Sequence, residues 1–335
     1  MVVRTDPRGQ TEQGAKRFAS VSVIVPVRNR AGTIRACLEH LFQAATPLSE
    51  QGVSVEIVVA NDASTDHSKS IVEEVASSAP VPVRLVNLME RQGPARARNA
   101  ALSVAQGELV VFVDSDIVVV PGFLLAHLQA YEGAAERAYT VGPVINVADL
   151  ETALRFPPPT PWDISMASLH TANASVPRQC LQEVGAFDDG YDAYGWEDLD
   201  LGRRLRKAGF TRLEAKDAVA YHVDPPITTQ TQLQARLAKE RERGRTALRF
   251  LENHREFSAR LTAQDTAFHA LLNWLMRFGG VIREDNVLAW AEWARRRGWT
   301  GLERVWLAGV INHAYLSALA ASKKGRREAQ KGDGR

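Results

Sequence analysis

The sequence predicts an α/β fold, with a mostly parallel β-sheet covered by helices on both faces and a helical C-terminal region. Four short β-branched runs alternate with helical segments over residues 20–113, which is typical of a parallel sheet. The strand pattern becomes looser from residue 140, and after Pro225-Pro226 the pattern is helical throughout. These observations predict the fold class before any motif is considered.

The elements follow from hydrophobic periodicity and from their end signals. Buried strands are predicted over 21–27, 53–60, 81–88 and 109–113. Helices are predicted over 31–44, 65–78, 94–105, 177–185 and 197–208, and a short strand over the end of 210–222. Asp66 or Thr65 suits the N-cap of the second helix, and Gly209 ends the last of them.

Charge divides the 335-residue chain into two regions of opposite sign. Residues 1–226 carry 21 Lys+Arg and 28 Asp+Glu, a net charge of −7, and residues 227–335 carry 20 and 11, a net charge of +9. Such a shift indicates regions with different roles. We expect a flexible tail over 1–19, an α/β domain over 20–226, a helical region over 227–321 and a basic disordered tail over 322–335.

Composition excludes several classes of protein. Two cysteines, Cys37 and Cys180, exclude a disulfide-rich scaffold, and without a CxxC pair they give no zinc signature. The polar N-terminus lacks the apolar stretch of a signal peptide. The sequence contains no window of about 18 uncharged apolar residues, so no membrane-spanning helix is predicted. We therefore expect a cytoplasmic protein.

Two aspartates follow the fourth predicted strand directly, as Asp114-Ser115-Asp116. Ligands of open parallel sheets bind at the carboxyl ends of the strands, and paired carboxylates bind hard cations such as Mg²⁺ or Mn²⁺. Such a cation would neutralise a diphosphate leaving group. The alternative is a solvated turn, where aspartate is common, and the Asp-X-Asp pattern alone leaves both readings open.

Polar side chains also follow the other strands. Asp62 ends the second strand, where it either binds a base or ribose or forms an Asx turn. Arg28 follows the first strand, and Arg91 and Arg98 follow the third. These guanidinium groups suit phosphate or base recognition, and the alternative is a solvated helix face.

A Gly-Trp-Glu-Asp turn opens the helix at 197–208. Three acids in its first turn stabilise the helix dipole. Alternatively, Trp196 offers a ring face to a sugar, while Glu197 and Asp198 orient an acceptor hydroxyl and remove its proton. His222 lies after the short strand; a lone histidine is usually a satisfied polar residue, but imidazole is also a common metal ligand.

Five blocks in this order resemble the family 2 glycosyltransferases, which have the GT-A fold. The blocks are VSVIVPVRNR, VVANDASTD, GPARARNAAL, VFVDSD and VGAFDDGYDAYGWEDLDLGRRLRKAG. The match runs from about residue 21 to residue 226, two-thirds of the chain, and five blocks in order are far more specific than any one. The GWEDLDL segment is similar to that of galactosyl- and N-acetylgalactosaminyl-transferring relatives.

The resemblance implies a role for each residue on the donor side. The nucleoside pocket would be lined by Pro26, Arg28 and Asp62, with Arg91 or Arg98 assisting. Asp114 would lie by the ribose and the metal, and Asp116 and His222 would bind the metal, Mn²⁺ or Mg²⁺. The sequence departs from the family at three positions, where the frequent Asp, Gly and Gly are replaced by Asn61, Ala63 and Ala186. The replacement at Ala186 leaves the backbone conformation of that loop undetermined.

On the acceptor side, the resemblance implies that Asp198 is the catalytic base. Glu197 and Trp196 would contact the acceptor. The expected reaction is a single displacement with inversion, from a nucleotide-diphosphate sugar, most typically a UDP-sugar, to a hydroxyl of a glycan, lipid-linked intermediate or other small acceptor. No nucleic-acid partner is expected, and an oligomer is compatible with the sequence.

Two other functions remain as alternatives. A nucleotidyltransferase acting on sugar phosphates also uses an α/β sheet and acidic metal ligands, but residues 26–32 match its phosphate loop weakly. A non-catalytic nucleotide-binding module would leave Asp198 and His222 without a role. Release of pyrophosphate, or of no product, would distinguish these from sugar transfer.

The region 227–335 admits two interpretations. Arg295–Arg297 lie among Trp290, Trp293 and Trp299, a mixture suited to an anionic acceptor or to peripheral contact with the membrane surface. The alternative is packing on the α/β domain or on a second subunit, through a face of apolar residues. That face comprises Leu271, Leu272, Leu275, Phe278 and Val281.

Overall fold

A computed structural model describes residues 17–160, 163 and 167–332. Within these residues the chain forms two compact units. Unit 1 takes the described residues of Met1–Glu90, Ala97–Ala186 and Gly202–Asp224. Unit 2 takes those of Arg91–Arg96, Phe187–Leu201 and Pro225–Arg335, so it includes two segments that the sequence assigns to the α/β domain.

Unit 1 contains all ten strands of the described chain. They are β1 (Ser20–Val27), β2 (Ser54–Asp62), β3 (Val83–Leu88), β4 (Leu109–Val113), β5 (Ile117–Val119), β6 (Ala138–Val141), β7 (Val144–Val147), β8 (Asn173–Pro177), β9 (Thr211–Glu214) and β10 (Ala220–Val223). The helices up to residue 207 are α1 (Ile34–Glu50), α2 (Ser68–Ala76), α3 (Pro94–Val104), α4 (Phe123–Gln129), α5 (Leu150–Leu154), α6 (Arg178–Val184) and α7 (Glu197–Lys207).

Seven strands form the main sheet, in the order β3-β2-β1-β4-β8-β6-β9. The four buried strands that the sequence predicts, β1 to β4, are parallel to one another, as expected for strands joined by helical crossovers. The short strand predicted at the end of 210–222 is β10, which lies outside this sheet. β8 runs antiparallel to both β4 and β6, which makes the sheet mixed. A second sheet has the order β5-β10-β7. The predicted α/β class is confirmed.

The central strands are buried along their whole length. All five residues of β4, and nearly all of β1 and β2, lie in the core, because helices cover both faces of a parallel sheet. Their continuous Val and Ile runs therefore identify them from sequence. The shorter strands β5 to β8 escape prediction, since runs of three to five residues carry little periodicity.

A buried polar network joins α4 to the antiparallel part of the main sheet. The Asn173 amide Nδ2 donates to the carbonyls of Pro143 and Ala218, at 2.8 and 2.6 Å, so its Oδ1 is free to accept from His127 Nε2 at 2.9 Å. His127 Nδ1 then accepts from the Thr140 hydroxyl at 2.7 Å. This arrangement uses the neutral imidazole, and burial lowers the pKa of His127 to about 4.

Unit 2 is helical in its C-terminal part. Its helices are α8 (Gln230–Asn253), α9 (Phe257–Thr262), α10 (Ala267–Met276), α11 (Val287–Arg296) and α12 (Thr300–Gly332), with a 3₁₀ turn at Phe278–Gly280. Thr229 and Gln232 form a capping box at the start of α8. A core that includes Leu233, Leu237 and Trp306 joins α8, α11 and α12.

Parts of both expected tails make defined contacts in the structure. Residues 322–332 continue α12, because Lys, Arg, Glu and Ala favour helix and Lys323 and Arg326 form ion pairs with Asp265 and Glu252. At the N-terminus, Arg17 donates to four backbone carbonyls of residues 131–136. The expectation of a flexible tail over 1–16 lies outside the described residues.

One helix of the described chain, α12, is long and apolar enough to span a membrane by length and composition. A third of its apolar window is buried inside the structure. Helices that form the core of a helical domain pass the same test, so this is weak evidence of a span. Residues such as Trp306, Val310 and Ala314 belong to the core of unit 2.

The apolar residues predicted to pack in the helical region are exposed instead. Leu271, Leu272, Leu275, Phe278 and Val281 are between 42% and 64% exposed in the full chain. The helical region itself therefore does not bury these residues, and their packing on a second subunit stays a prediction. Periodicity identifies an apolar face but gives no information about what that face contacts.

We predict that His127 makes the protein less stable in acid. Its folded-state pKa lies below the unfolded value of about 6.5, so the unfolded state binds the proton first as the pH falls. The contribution is complete above about pH 6.5 and is lost towards about pH 4, a change of about 3 kcal/mol. Urea unfolding across this range measures it.

The control is His127→Gln, which removes the titrating ring. We expect lower stability at neutral pH and a shallower dependence on pH over the same range. An equally steep dependence in this variant would show that another group is responsible.

Candidate functional site

The loops after β1 and β2 are joined by side-chain hydrogen bonds to backbone. Asn29, at φ +51°, accepts from the Thr65 amide at 2.8 Å, and its own amide donates to Ser64 Oγ at 3.1 Å. Asp66 accepts from the Ala31 amide at 3.0 Å. These bonds fix the carboxyl ends of the two strands together, the edge where a parallel sheet binds its ligands.

Three residues predicted for the nucleoside pocket meet at this edge. Pro26 pairs in register with Ala60, and Arg28 Nη1 donates to the carbonyls of Asp62 and Ala63, at 2.7 and 2.9 Å. Asp62 is buried at the end of β2. Arg28 therefore supports the backbone of the β2 loop, which is a positioning contact.

The turn after β4 is held from several sides. Arg98, almost completely buried, donates from Nη2 to Asp114 Oδ1 at 2.7 Å. Thr33 Oγ1 donates to the Ser115 carbonyl at 2.9 Å, and the Ile117 amide donates to the Asp114 carbonyl at 3.1 Å. The ion pair with Arg98 explains how a carboxylate can lie beside a fully apolar strand.

The second carboxylate of the turn lies beside His222. Asp116 Oδ2 is 3.1 Å from Arg30 Nε and 3.5 Å from His222 Nε2. The second sheet creates this proximity, because β10 pairs with β5 and β7 so that His222 stands opposite Ile117 and Asn146. Asn146 Oδ1 lies 2.8 Å from His222 Nδ1.

The surroundings of His222 shift its titration. Burial lowers its pKa, but the hydrogen bond and the negative charge of Asp116 outweigh burial, so the pKa of His222 is raised above the ordinary 6.5. Because Asn146 Oδ1 accepts from Nδ1–H, Nε2 is the ring nitrogen that faces Asp116, and the protonated ring donates from Nε2–H to that carboxylate. A neutral ring held in the same way would offer the Nε2 lone pair to a cation.

Asp116 and His222 are a donor set that a divalent cation accepts. One carboxylate oxygen and one imidazole nitrogen point at each other across 3.5 Å, with Asn146 orienting the ring. Among the described residues, no group of three or more His, Cys, Asp or Glu is arranged to hold a metal. Asp114 is directed to Arg98. Asp116 and His222 therefore suit a divalent cation, but the described side chains do not by themselves complete its coordination.

The Gly-Trp-Glu-Asp turn lies in unit 2. Gly195 has φ +106°, and a Cβ there would come within 2.8 Å of Arg243 Cγ, so glycine is required. Trp196 is 2% exposed; its Nε1 donates to the Arg243 carbonyl at 2.8 Å, and its ring packs near Phe250 and Tyr315. Its indole supports the turn and offers no open ring face to a sugar.

The acids that begin α7 differ in environment. Glu197 is buried, and its Oε2 accepts from the Gly195 amide at 3.1 Å. Asp198 is partly exposed and accepts from the Leu199 amide at 2.7 Å. Asp200 is buried against His254 Nε2 at 2.9 Å. Asp198 is thus the acid of this turn with the best access to a substrate.

The structure divides the predicted site residues between the two units. Unit 1 holds Pro26, Arg28, Asp62, Arg98, Asp114, Asp116 and His222, and unit 2 holds Arg91, Trp196, Glu197 and Asp198. Arg91 forms an ion pair with Glu242 at 2.6 Å. Sequence reasoning missed Arg30 and Asn146; Arg30 carried a signal, since it follows the first strand in the same block as Arg28.

Comparison with known proteins shows what the chain is similar to. The model described as "Glycosyl transferase family 2" matches residues 22–167. Relatives include the uncharacterized glycosyltransferase YfnE of Bacillus subtilis, 25% identical over 61% of this chain and 65% of its own length. Another is the validoxylamine A glucosyltransferase of Streptomyces hygroscopicus subsp. jinggangensis, 25% identical over 59% and 54%. The chain thus spans less than two-thirds of these relatives.

Solved structures share the fold. The mannosyltransferase PcManGT from Pyrobaculum calidifontis, in complex with GDP-Man and Mn²⁺, has a TM-score of 0.53 at 22% identity, over 88% of this chain and 86% of its own. S. aureus TarS 1-349 has a TM-score of 0.51 at 18% identity, over 91% and 92%. GalNAc-T7 with UDP, GalNAc and Mn²⁺ has 0.50 at 14%, over 68% and 48%. The GT-A fold and the resemblance to family 2 are confirmed.

We predict that Ala63→Gly stabilises the protein by about 0.5–1 kcal/mol. Ala63 has φ +48°, a left-handed conformation that costs a residue with a Cβ about 1–2 kcal/mol, part of which glycine loses again in the unfolded state. Chemical denaturation measures the change. Ala76→Gly, at the end of the neighbouring α2, should destabilise by a similar amount. Destabilisation at both positions would contradict this account of the loop.

Proposed function

We propose that this chain, which carries a family 2 glycosyltransferase domain matched over residues 22–167, is an inverting enzyme that transfers a hexose from a nucleotide-diphosphate sugar to a hydroxyl acceptor. The observation that carries the proposal is the convergence of Asp116, His222 and Asn146 after β4. These contacts place an imidazole nitrogen and a carboxylate oxygen, both groups that bind divalent cations, next to each other at the carboxyl end of a parallel strand.

We assign the metal site to Asp116 and His222. A bound Mn²⁺ or Mg²⁺ would supply charge neutralisation for the leaving diphosphate. Mn²⁺ in the structures of PcManGT and GalNAc-T7 supports a divalent cation here. Asn146 would hold the His222 tautomer that leaves Nε2 free, and Arg30, now 3.1 Å from Asp116, would contribute positive charge beside the diphosphate.

The nucleoside would bind at the joined ends of β1 and β2. Asp62 would accept hydrogen bonds from the base or ribose, with Pro26 and Arg28 shaping the wall. Asp114, fixed by Arg98, would lie by the ribose and beside the metal. A UDP-sugar is the proposed donor. The structures of GalNAc-T7 with UDP and of TarS 1-349 with UDP-GlcNAc support it, while PcManGT is in complex with GDP-Man. Arg91, paired with Glu242, remains a secondary proposal.

Asp198 is the proposed base. It would take the proton from the acceptor hydroxyl as the oxygen attacks the anomeric carbon, opposite the departing diphosphate, which inverts the configuration. Glu197, buried and bonded to the Gly195 amide, would fix the turn and orient the acceptor. Trp196 would act through packing. The acceptor is proposed to be a hydroxyl of a glycan, lipid-linked intermediate or other small molecule in the cytoplasm.

Metal dependence can be tested at two positions. We expect Asp116→Ala to abolish transfer, since a carboxylate ligand is lost, and Asn146→Ala to weaken metal affinity by about tenfold or more, the usual effect of removing the partner of a ligating histidine. Donor hydrolysis during a Mn²⁺ titration measures both. His222→Ala should likewise weaken metal dependence without unfolding the protein.

Asp217→Asn is a matched control, because this aspartate is exposed in the same unit. It should leave the titration unchanged. Full turnover of the native chain in excess chelator would refute the metal assignment, and pyrophosphate as the product would favour a nucleotidyltransferase.

We predict that Asp198→Asn retains donor binding but lowers turnover by about 10²-fold or more, the scale of lost general-base catalysis. The amide has the same shape but cannot accept the proton. Single-turnover kinetics with a saturating donor separate the two effects. Asp192→Asn, an exposed aspartate in the same segment, is the control. Loss of donor affinity with normal turnover would show that Asp198 is not the base.

A further inference from the structure

Helix α10 has its apolar side outward. Phe268, Leu271, Leu272 and Leu275 recur at the spacing of one helix face and are 42–65% exposed. The buried residue of this helix is polar: Asn273 is 3% exposed, and its Nδ2 donates to the Gly309 carbonyl at 2.7 Å. A helix at an ordinary protein surface shows the reverse pattern, and a continuous exposed apolar face is typical of an interaction surface.

The apolar surface continues into an aromatic cluster. Phe278, 64% exposed, lies 6.1 Å from the ring of Trp306, which contacts Trp290 at 5.8 Å. Trp290 and Trp299 each pack edge-to-face with Trp293. Trp290, Trp293 and Trp299 remain 37–48% exposed. We call the exposed side of α10 together with these tryptophans the outer face.

Cationic side chains border the outer face. Arg277 and Arg283 direct their Nε atoms to the carbonyls of Ile282 and Gly280, and Arg297 lies 4.2 Å from the centroid of the Trp293 ring. Among the ion pairs of the described residues, none involves these three arginines. The whole C-terminal region carries a net charge of +9.

We propose that the outer face docks on the surface of an anionic lipid bilayer. Leucine and phenylalanine side chains would enter the boundary between headgroups and acyl chains, tryptophan rings would lie at the headgroup level, and arginines would meet lipid phosphates. Each basic residue near an anionic surface adds to the attraction. This inference goes beyond the proposed function and does not depend on catalysis.

Charge favours a bilayer over a second copy of the chain. A two-fold dimer presents the same patch from both copies, so Arg277, Arg283 and Arg297 would face a patch that carries the same three arginines. An anionic surface neutralises them instead. The contact would be peripheral, because α12 already contributes Trp306, Val310 and Ala314 to the core of unit 2.

The test is co-sedimentation of the full chain with vesicles of phosphatidylcholine, alone or in equal parts with phosphatidylglycerol. We expect retention by the anionic vesicles, reduced but not abolished by salt. Leu271→Glu combined with Leu275→Glu should lower the partition coefficient by about tenfold or more, since two apolar contacts are lost. Leu154→Glu, a similarly exposed leucine in unit 1, should leave it unchanged.

A second measurement uses the native chain, in case the double variant does not fold. Vesicles containing brominated acyl chains should quench tryptophan fluorescence, as expected for rings at the lipid boundary. No retention by anionic vesicles at low salt, or retention without quenching, would overturn the proposal. So would self-association of the native chain in sedimentation velocity that the double variant abolishes without any vesicle binding.

Discussion

Two carboxylates at the end of a buried strand impose the central constraint on unit 1. β4 is buried at all five positions, and Asp114 and Asp116 follow it at once. Carboxylates next to so much apolar surface need compensating charge. Arg98 compensates Asp114, while Arg30 and His222 compensate Asp116. The second sheet therefore contributes to this charge compensation, because it places His222 beside Asp116.

The compensation differs between the two carboxylates, and that difference is functionally informative. The Arg98–Asp114 contact joins a buried guanidinium to a carboxylate and is suited to fixing geometry. The Asp116–His222 contact joins groups whose protons and charges a cation displaces readily, because imidazole binds metals when it is neutral. Asp114 is held in place by Arg98, whereas a cation can replace the partners of Asp116. This combination suits a site that binds and releases a charged ligand.

Unit 2 differs in having an apolar surface that the described part of the chain leaves exposed. Its core is complete around Leu233, Leu237 and Trp306, yet α10 buries Asn273 and exposes its leucines. Such a helix costs free energy in water unless something covers it. Trp196, in the same unit, is by contrast almost completely buried.

The sequence by itself determined the parallel half of the sheet and the positions of Asp62, Asp114 and Asp116, because long β-branched runs and the polar residues that end them are local signals. It placed Asp198 in the acidic first turn of a predicted helix, which is also a local signal. It also identified His222 as a candidate ligand, but only through resemblance. The tertiary structure decided which groups meet: that His222 faces Asp116 with Asn146 behind it, that Trp196 is buried, and that α10 faces outward. Pairing of β10 with β5 and β7 joins residues far apart in the chain. The sequence of a short strand does not indicate which other strands it pairs with. For α10, periodicity defines an apolar face, while tertiary contacts such as that of Asn273 with the Gly309 carbonyl fix its direction.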